Sequence, residues 1–214
     1  MTQAHRHLET ERKFTLPPGA QAPDPAQWPC VQVVSQPELF ELDALYFDTR
    51  DLRLANAGVT LRRRTGGADD GWHLKVPGAG EGRLEHGLPL EMGADAPPAE
   101  FLEQVAPLTG GAPVQPICRV RTTRVERRVD GAEGAAASVC DDTVTTHNLL
   151  DPRLDQSWHE LEVELTDHGT VAFLDAVTEH LAGAGIHQVS IASKLRTALT
   201  PPSRPDGRVP GAQG

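Results

Sequence analysis

The chain has 214 residues, 38% of them hydrophobic and 4% aromatic, with a formal net charge of −10 at pH 7. That balance excludes a nucleic-acid-coating protein, which needs a broad basic surface, and no apolar run is long enough for a helical membrane span. It still leaves room for a local basic pocket, and the low apolar share suits a domain with a charged interior or disordered ends. Cys30, Cys118 and Cys140 are scattered, odd in number and without CxxC spacing, which points to a reducing compartment and away from a disulfide scaffold or a zinc site. The stretch from Met1 to Arg12 lacks the apolar core of a signal peptide, so a soluble cytoplasmic protein is expected.

In chain order, residues 7–16 predict a strand ended by Pro17, Pro18 and Gly19. Residues 17–30 are a Pro-rich connection with one helical turn near Pro25–Trp28. Val31–Val34 reads as a short strand or a loop, Leu42–Asp48 as a strand, and Asp51–Ala57 as a turn or short helix. Val59–Thr65 and Trp72–Val76 are strands around a Gly-rich hairpin loop at 66–71, and Arg83–Leu90 is another strand. Pro98–Pro107 predicts a short amphipathic helix opening on proline. Ile117–Val129 and Ala135–Val144 are strands about a turn at Asp130–Gly134, and Trp158–Leu165 alternates strictly. Thr170–Ala184 carries Val171, Leu174, Val177, Thr178 and Leu181 at helical spacing. The expectation is a mainly β (α+β) fold: one domain over 1–199, followed by a disordered Pro/Gly-rich tail at 200–214. About eight strands would form an antiparallel closed barrel with a few outer helices, a size that can hold one small ligand.

Alternate residues of a strand share a face. Glu9, Glu11 and Lys13 therefore point one way, with Leu8 and Phe14 opposite. Arg62 and Arg64 share a face opposite Leu61, Lys75 lies opposite Leu74, and Arg119 and Arg121 lie opposite Val120 and Thr122. In Trp158–Leu165, Glu160, Glu162 and Glu164 line one face and Leu161, Val163 and Leu165 the other. Any one of these strands alone reads as a solvated sheet face. Together they segregate into a basic wall (Lys13, Arg62, Arg64, Lys75, Arg119, Arg121, Lys194) and an acidic wall (Glu9, Glu11, Glu160, Glu162, Glu164), which a solvated sheet does not require. Arginines grip phosphate oxygens bidentately. Clustered carboxylates suit Mg²⁺ or Mn²⁺, which bridge protein, water and phosphate, and positioning with charge neutralisation is most of what phosphoryl transfer needs.

The ordered motifs resemble the CYTH superfamily of triphosphate tunnel metalloenzymes. Glu9-x-Glu11-x-Lys13 looks like the family's ExExK signature, Tyr46-Phe47-Asp48-Thr49 its second-strand motif, and Leu61-Arg62-Arg63-Arg64 its LRxR strand. Leu74-Lys75, Arg119-Val120-Arg121-Thr122, Asp141-Asp142, Glu160-x-Glu162-x-Glu164 and Ser193-Lys194-Leu195 continue the match over about residues 5–199. The resemblance implies an eight-stranded tunnel that binds a triphosphate with Mg²⁺ or Mn²⁺. Glu9, Glu11, Glu162 and Glu164 would hold metal and, with Lys13, form the catalytic set. Lys13, Arg62, Arg64, Lys75, Arg119, Arg121 and Lys194 would hold phosphates, while Glu85, Asp142 and Glu160 receive no fixed role. Members include inorganic triphosphatases, thiamine triphosphatases and class IV adenylyl cyclases. The expected activity is hydrolysis of a triphosphate, inorganic tripolyphosphate first; the other two activities and a non-catalytic polyphosphate-binding module are the alternatives. Tyr46, Trp72 and Trp158 are the few aromatics available to stack on a base. Larger members carry a helical, histidine-rich domain after the tunnel, which the resemblance implies is absent here or on another polypeptide. The expected partner is a small triphosphate or polyphosphate, with no nucleic acid and no membrane; a monomer and a homodimer stay open.

Overall fold

A computed structural model describes residues 5–17, 19–78, 82–93, 95–189 and 193–201. Most of the tail expected at 200–214 lies outside them. The strands are β1 His5–Glu9, β2 Glu11–Leu16, β3 Val33–Val34, β4 Glu38–Asp48, β5 Thr60–Thr65, β6 Gly71–Pro77, β7 Arg83–Leu88, β8 Gln115–Gly131, β9 Gly134–Asn148 and β10 Ser157–Leu165. The helices are α1 Arg53–Asn56, α2 Ala99–Thr109, α3 Val171–Gly183 and α4 Lys194–Leu199. A 3₁₀ turn at Pro25–Gln27 falls where the Pro-rich connection predicted one.

All strand pairing is antiparallel, in the order β1-β7-β6-β5-β4-β8-β9-β10-β2, with β3 added on β8. The expected closed eight-stranded barrel needs correction on two points. The sheet has ten strands, and its hydrogen-bonded path is open. The first strand breaks at Thr10, so β1 pairs with β7 while β2 pairs with β10. The two edges of the sheet are thus consecutive pieces of one chain segment, and the Thr10 carbonyl accepts from Leu165 N at 2.9 Å. The second extra strand, β3, is only a two-residue addition.

The polarity of the strands is inverted relative to an ordinary core. Leu61, Leu74, Leu161 and Val163 are buried on the outer faces, beneath helices and loops. α3 packs Leu174, Val177 and Leu181 with Phe14, Leu161 and Val163. It starts where the Thr170 hydroxyl accepts from Phe173 N. α2 sets Phe101 and Val105 beside Leu61, Trp72 and Leu74. α1 is held by Asp48, fully buried, whose carboxylate accepts from the Leu54 and Ala55 amides at 2.9 Å. α4 behaves differently: Leu195 and Ala198 pack with Ala44, Tyr46, Val120 and Val144, which share the parity of the inward-facing positions, so this helix fills one end of the interior. Among the described residues no helix is long and apolar enough to cross a membrane.

Candidate active site

With apolar faces turned outward, alternate residues of the strands converge on a cavity of about 280 Å³. β1 and β2 contribute Glu9, Glu11 and Lys13; β5 contributes Arg62 and Arg64; Lys75 comes from β6 and Glu85 from β7. Arg124 enters from β8, Glu162 and Glu164 from β10, and Lys194 from the first turn of α4. Ser193 caps that turn, its Oγ accepting from Arg196 N. One wall is apolar: Leu42, Ala44 and Tyr46 of β4, with Phe40 beyond them, face in beside Val120.

The acids form two groups. Glu9, Glu11 and Glu164 each bring a carboxylate oxygen within 4.8 Å of the others. Lys75 Nζ lies 2.5 Å from Glu9 and Lys13 Nζ 3.1 Å from Glu11. Glu164 has no cation at ion-pair distance among the described residues. Burial, with Glu9 and Glu11 adding like charge, pushes its carboxyl up to about 8. An oxygen-only donor set with surplus negative charge fits Mg²⁺ or Mn²⁺.

Asp142, Glu160 and Glu162 form the second group, and it is saturated with cations. Arg124 grips Asp142 with Nε and Nη2 at 2.8 and 2.7 Å and reaches Glu162 at 2.6 Å. Lys194 Nζ lies 2.6–2.8 Å from all three acids, and Lys13 bonds Glu162. Burial opposes ionisation, but Lys13, Lys194 and Arg124 hold the Glu162 carboxyl well below the usual range.

The other cavity cations differ in commitment. Lys75 also pairs with Glu85 at 2.8 Å. Glu85 in turn touches His73 Nδ1, and His73 Nε2 lies 3.0 Å from the Asp69 carbonyl. A carbonyl only accepts, so Nε2 carries a hydrogen. Arg64 is paired with the Asp69 side chain. Arg62 has no carboxylate at ion-pair distance among the described residues. Its Nη1 donates to the Tyr46 hydroxyl at 3.4 Å, and its Nε is buried without a partner, as is that of Arg64.

Nine of the site residues expected from the sequence meet in this cavity: Glu9, Glu11, Lys13, Arg62, Arg64, Lys75, Glu162, Glu164 and Lys194. Arg119 and Arg121 do not. Their side chains are 47% and 64% exposed and pair with Asp43 on the outer face. The register of β8 on β4 explains the correction. Val120 opposes Ala44 and Thr122 opposes Leu42, so that parity faces in and the arginines face out. The same parity brings in Arg124, which the sequence reading did not single out. Glu162 belongs to the second acid group and pairs with Lys13, Arg124 and Lys194. Glu85 and Asp142 serve as buried partners of Lys75, Arg124 and Lys194, and Glu160 of Lys194. Trp72 is fully buried in an outer core cluster, and the Trp158 indole bonds Glu160, so of the three aromatics only Tyr46 lines the cavity.

The sequence model of the CYTH domain matches residues 7–199. Two curated relatives from Mycobacterium tuberculosis, the uncharacterized proteins Rv2226 and MT2285, are each 39% identical over 223 aligned residues. The match covers 97% of this chain and 44% of theirs, so the chain spans less than half the length of these relatives. Among solved structures, a "putative adenylate cyclase" from Bacillus halodurans has a TM-score of 0.60 at 19% identity, covering 91% of this chain and 99% of that one. HpAC1 from Hippeastrum, a "putative adenylyl cyclase" described as having a dominant triphosphatase activity, has a TM-score of 0.50 at 19% identity, covering 89% and 94%. At that identity the likeness is one of fold.

Proposed function

The chain belongs to the CYTH domain family, and from that premise we propose that it hydrolyses a triphosphate, inorganic tripolyphosphate first, releasing orthophosphate with the help of Mg²⁺ or Mn²⁺ in the cytoplasm. The observation that carries this reading is a division of labour in one cavity. Arg62 is an uncommitted guanidinium with a buried, orphaned Nε, beside three carboxylates within 4.8 Å that lack enough cations. A buried unpaired donor is costly, and a polyanion would satisfy it.

Glu9, Glu11 and Glu164 would hold the divalent ion, which when bound supplies charge neutralisation at phosphate oxygens and lowers the pKa of a water. Arg62, Arg64 and Arg124 neutralise charge on the transferring phosphoryl group. Lys13 and Lys75 fix the acids that face them. Asp142 and Glu162 position Arg124 and Lys194 rather than touching substrate. Water attacks the terminal phosphorus and diphosphate leaves.

One feature favours a second reading. The apolar wall of Phe40, Leu42, Ala44 and Val120 is more than a bare polyphosphate needs, and an organic group could lie on it, as in thiamine triphosphate or in ATP undergoing cyclisation. The test is phosphate release from tripolyphosphate, ATP and thiamine triphosphate with Mg²⁺ or Mn²⁺. Fast release from tripolyphosphate supports the first reading. Preference for an organic triphosphate supports the second, and pyrophosphate appearing from ATP marks a cyclase. No product from any of them sinks the enzymatic reading in favour of a binding module.

A further inference from the structure

The loop between β5 and β6 reaches into the cavity through Gly67, Ala68 and Asp69. Its backbone is pinned at three points. Gly66 has φ +96°, and a Cβ there would sit 1.8 Å from the Glu41 carbonyl oxygen, so only glycine seats the loop against β4. Asp70 Oδ1 accepts from Gly67 N at 2.8 Å, and the Asp69 carbonyl accepts from His73. Held this way, the loop carries the Asp69 carboxylate onto Arg64.

The two partners sit in different surroundings. The Arg64 side chain is 10% exposed and the Asp69 side chain 59%. Every other carboxylate paired with a cavity cation is buried or nearly so, on a strand. Burial and the adjacent guanidiniums of Arg62 and Arg124 push Arg64 down to about 10, so this arginine gains from any anion that reaches it, and its Nε stays unpartnered even with Asp69 in place. We propose that Asp69 is an affinity-setting residue of this site: its carboxylate holds the place of a phosphate on Arg64 and is displaced by a polyanion that grips several cavity cations at once. The proposal rests on the triphosphate reading above. A pair with one solvated partner is worth only about 2–5-fold in an equilibrium constant, so a triphosphate reaching Arg62, Arg64 and Arg124 together outcompetes it. Opening the pair also requires only the exposed side chain to turn, because the loop backbone is anchored independently of that carboxylate.

The test is calorimetric titration of tripolyphosphate in EDTA, into the wild-type chain, Asp69→Asn and Asp70→Asn. Asp70 carries the same charge on the same loop but bonds Gly67 rather than Arg64, and asparagine keeps that acceptor. Asp69→Asn is expected to bind tripolyphosphate about 2–5-fold more tightly, and to keep that gain at about 0.5 M NaCl, where the general field of the loop is screened. Asp70→Asn should match the wild type. Equal affinities for all three proteins, or the same gain in both variants, overturn the latch and leave the triphosphate reading intact. If none of them binds without metal, the same three titrations with Mn²⁺ decide the role of Asp69 by the same criteria, and the absence there of both binding and turnover heat overturns both.

Discussion

The two acid groups have the same number of carboxylates, and they differ in the number of cations that meet them. Lys13, Arg124 and Lys194 meet Asp142, Glu160 and Glu162, the last two cations at 2.6–2.8 Å; they pull Glu162 and Asp142 down despite burial, while burial keeps the Glu160 carboxyl above the ordinary range. Among the described residues, Glu9, Glu11 and Glu164 have Lys75 and Lys13 as their ion-pair partners, and Glu164 is pushed up to about 8. The Asp142 group is matched by three cations; the Glu9 group is short of positive charge. A count of acids on a strand does not separate a metal site from a structural ion cluster. The cations facing them do.

The largest expected effect comes from breaking the undersupplied group. Glu11→Gln should cost turnover on the order of 10²–10³-fold and weaken Mn²⁺ binding in a titration, with the melting temperature nearly kept. Near-normal turnover would dissolve the distinction between the groups. Asp142→Asn tests the other side. It removes the fully buried carboxylate that Arg124 and Lys194 share, so urea unfolding should show a loss of about 3 kcal/mol. A stable Asp142→Asn protein would mean that the second group is not the structural one.

This distinction was half legible in the sequence. Strand parity is a property of the backbone, so Glu9, Glu11 and Lys13, Arg62 and Arg64, and Glu162 and Glu164 could be placed on common faces without any structure. Parity cannot say which face is inward when both carry polar groups. In β8, Arg119, Arg121 and Arg124 straddle the two faces, and the choice is made by the apolar partners Leu42 and Ala44 on β4, a register that lies outside the strand itself. The break at Thr10 was hidden for a similar reason: alternation continues through it, and only the separate partners β7 and β10 reveal two strands. α4 left a weak trace, a Ser193 cap with Leu195 and Ala198 three apart, too short for a periodic signal. Asp69 had no signature, because its role depends on where a hairpin loop folds back.

Glu164 offers an intermediate test. Its folded pKa lies near 8 against 4.5 for an ordinary glutamate. The folded state therefore holds the proton more tightly than the unfolded one. The associated stability is complete below about pH 4.5 and is lost as pH rises through 8. Metal-free protein should lose melting temperature across that window. Glu164→Gln should flatten the loss and at pH 8 melt about 5–10 °C higher, on the order of a few kcal/mol. Parallel pH profiles for the two proteins would mean that the first group is already neutralised.

The smallest expected effect is the sharpest check on which face of β8 is the working one. Arg119 and Arg121 pair with Asp43 outside the cavity, and exposed pairs of this kind contribute about 0–1 kcal/mol. Arg119→Ala and Arg121→Ala should leave KM for tripolyphosphate within about 2-fold of the wild type, a change of under 1 kcal/mol. Arg124→Ala, by contrast, removes a guanidinium that lines the cavity and leaves Asp142 and Glu162 to the lysines. A fall in affinity from the outer pair would require β8 to shift by one residue, which would drive Val120 and Thr122 out of the interior and Arg124 with them. The three positions move together, because one unbroken register on β4 sets the facing of Cys118 through Glu126.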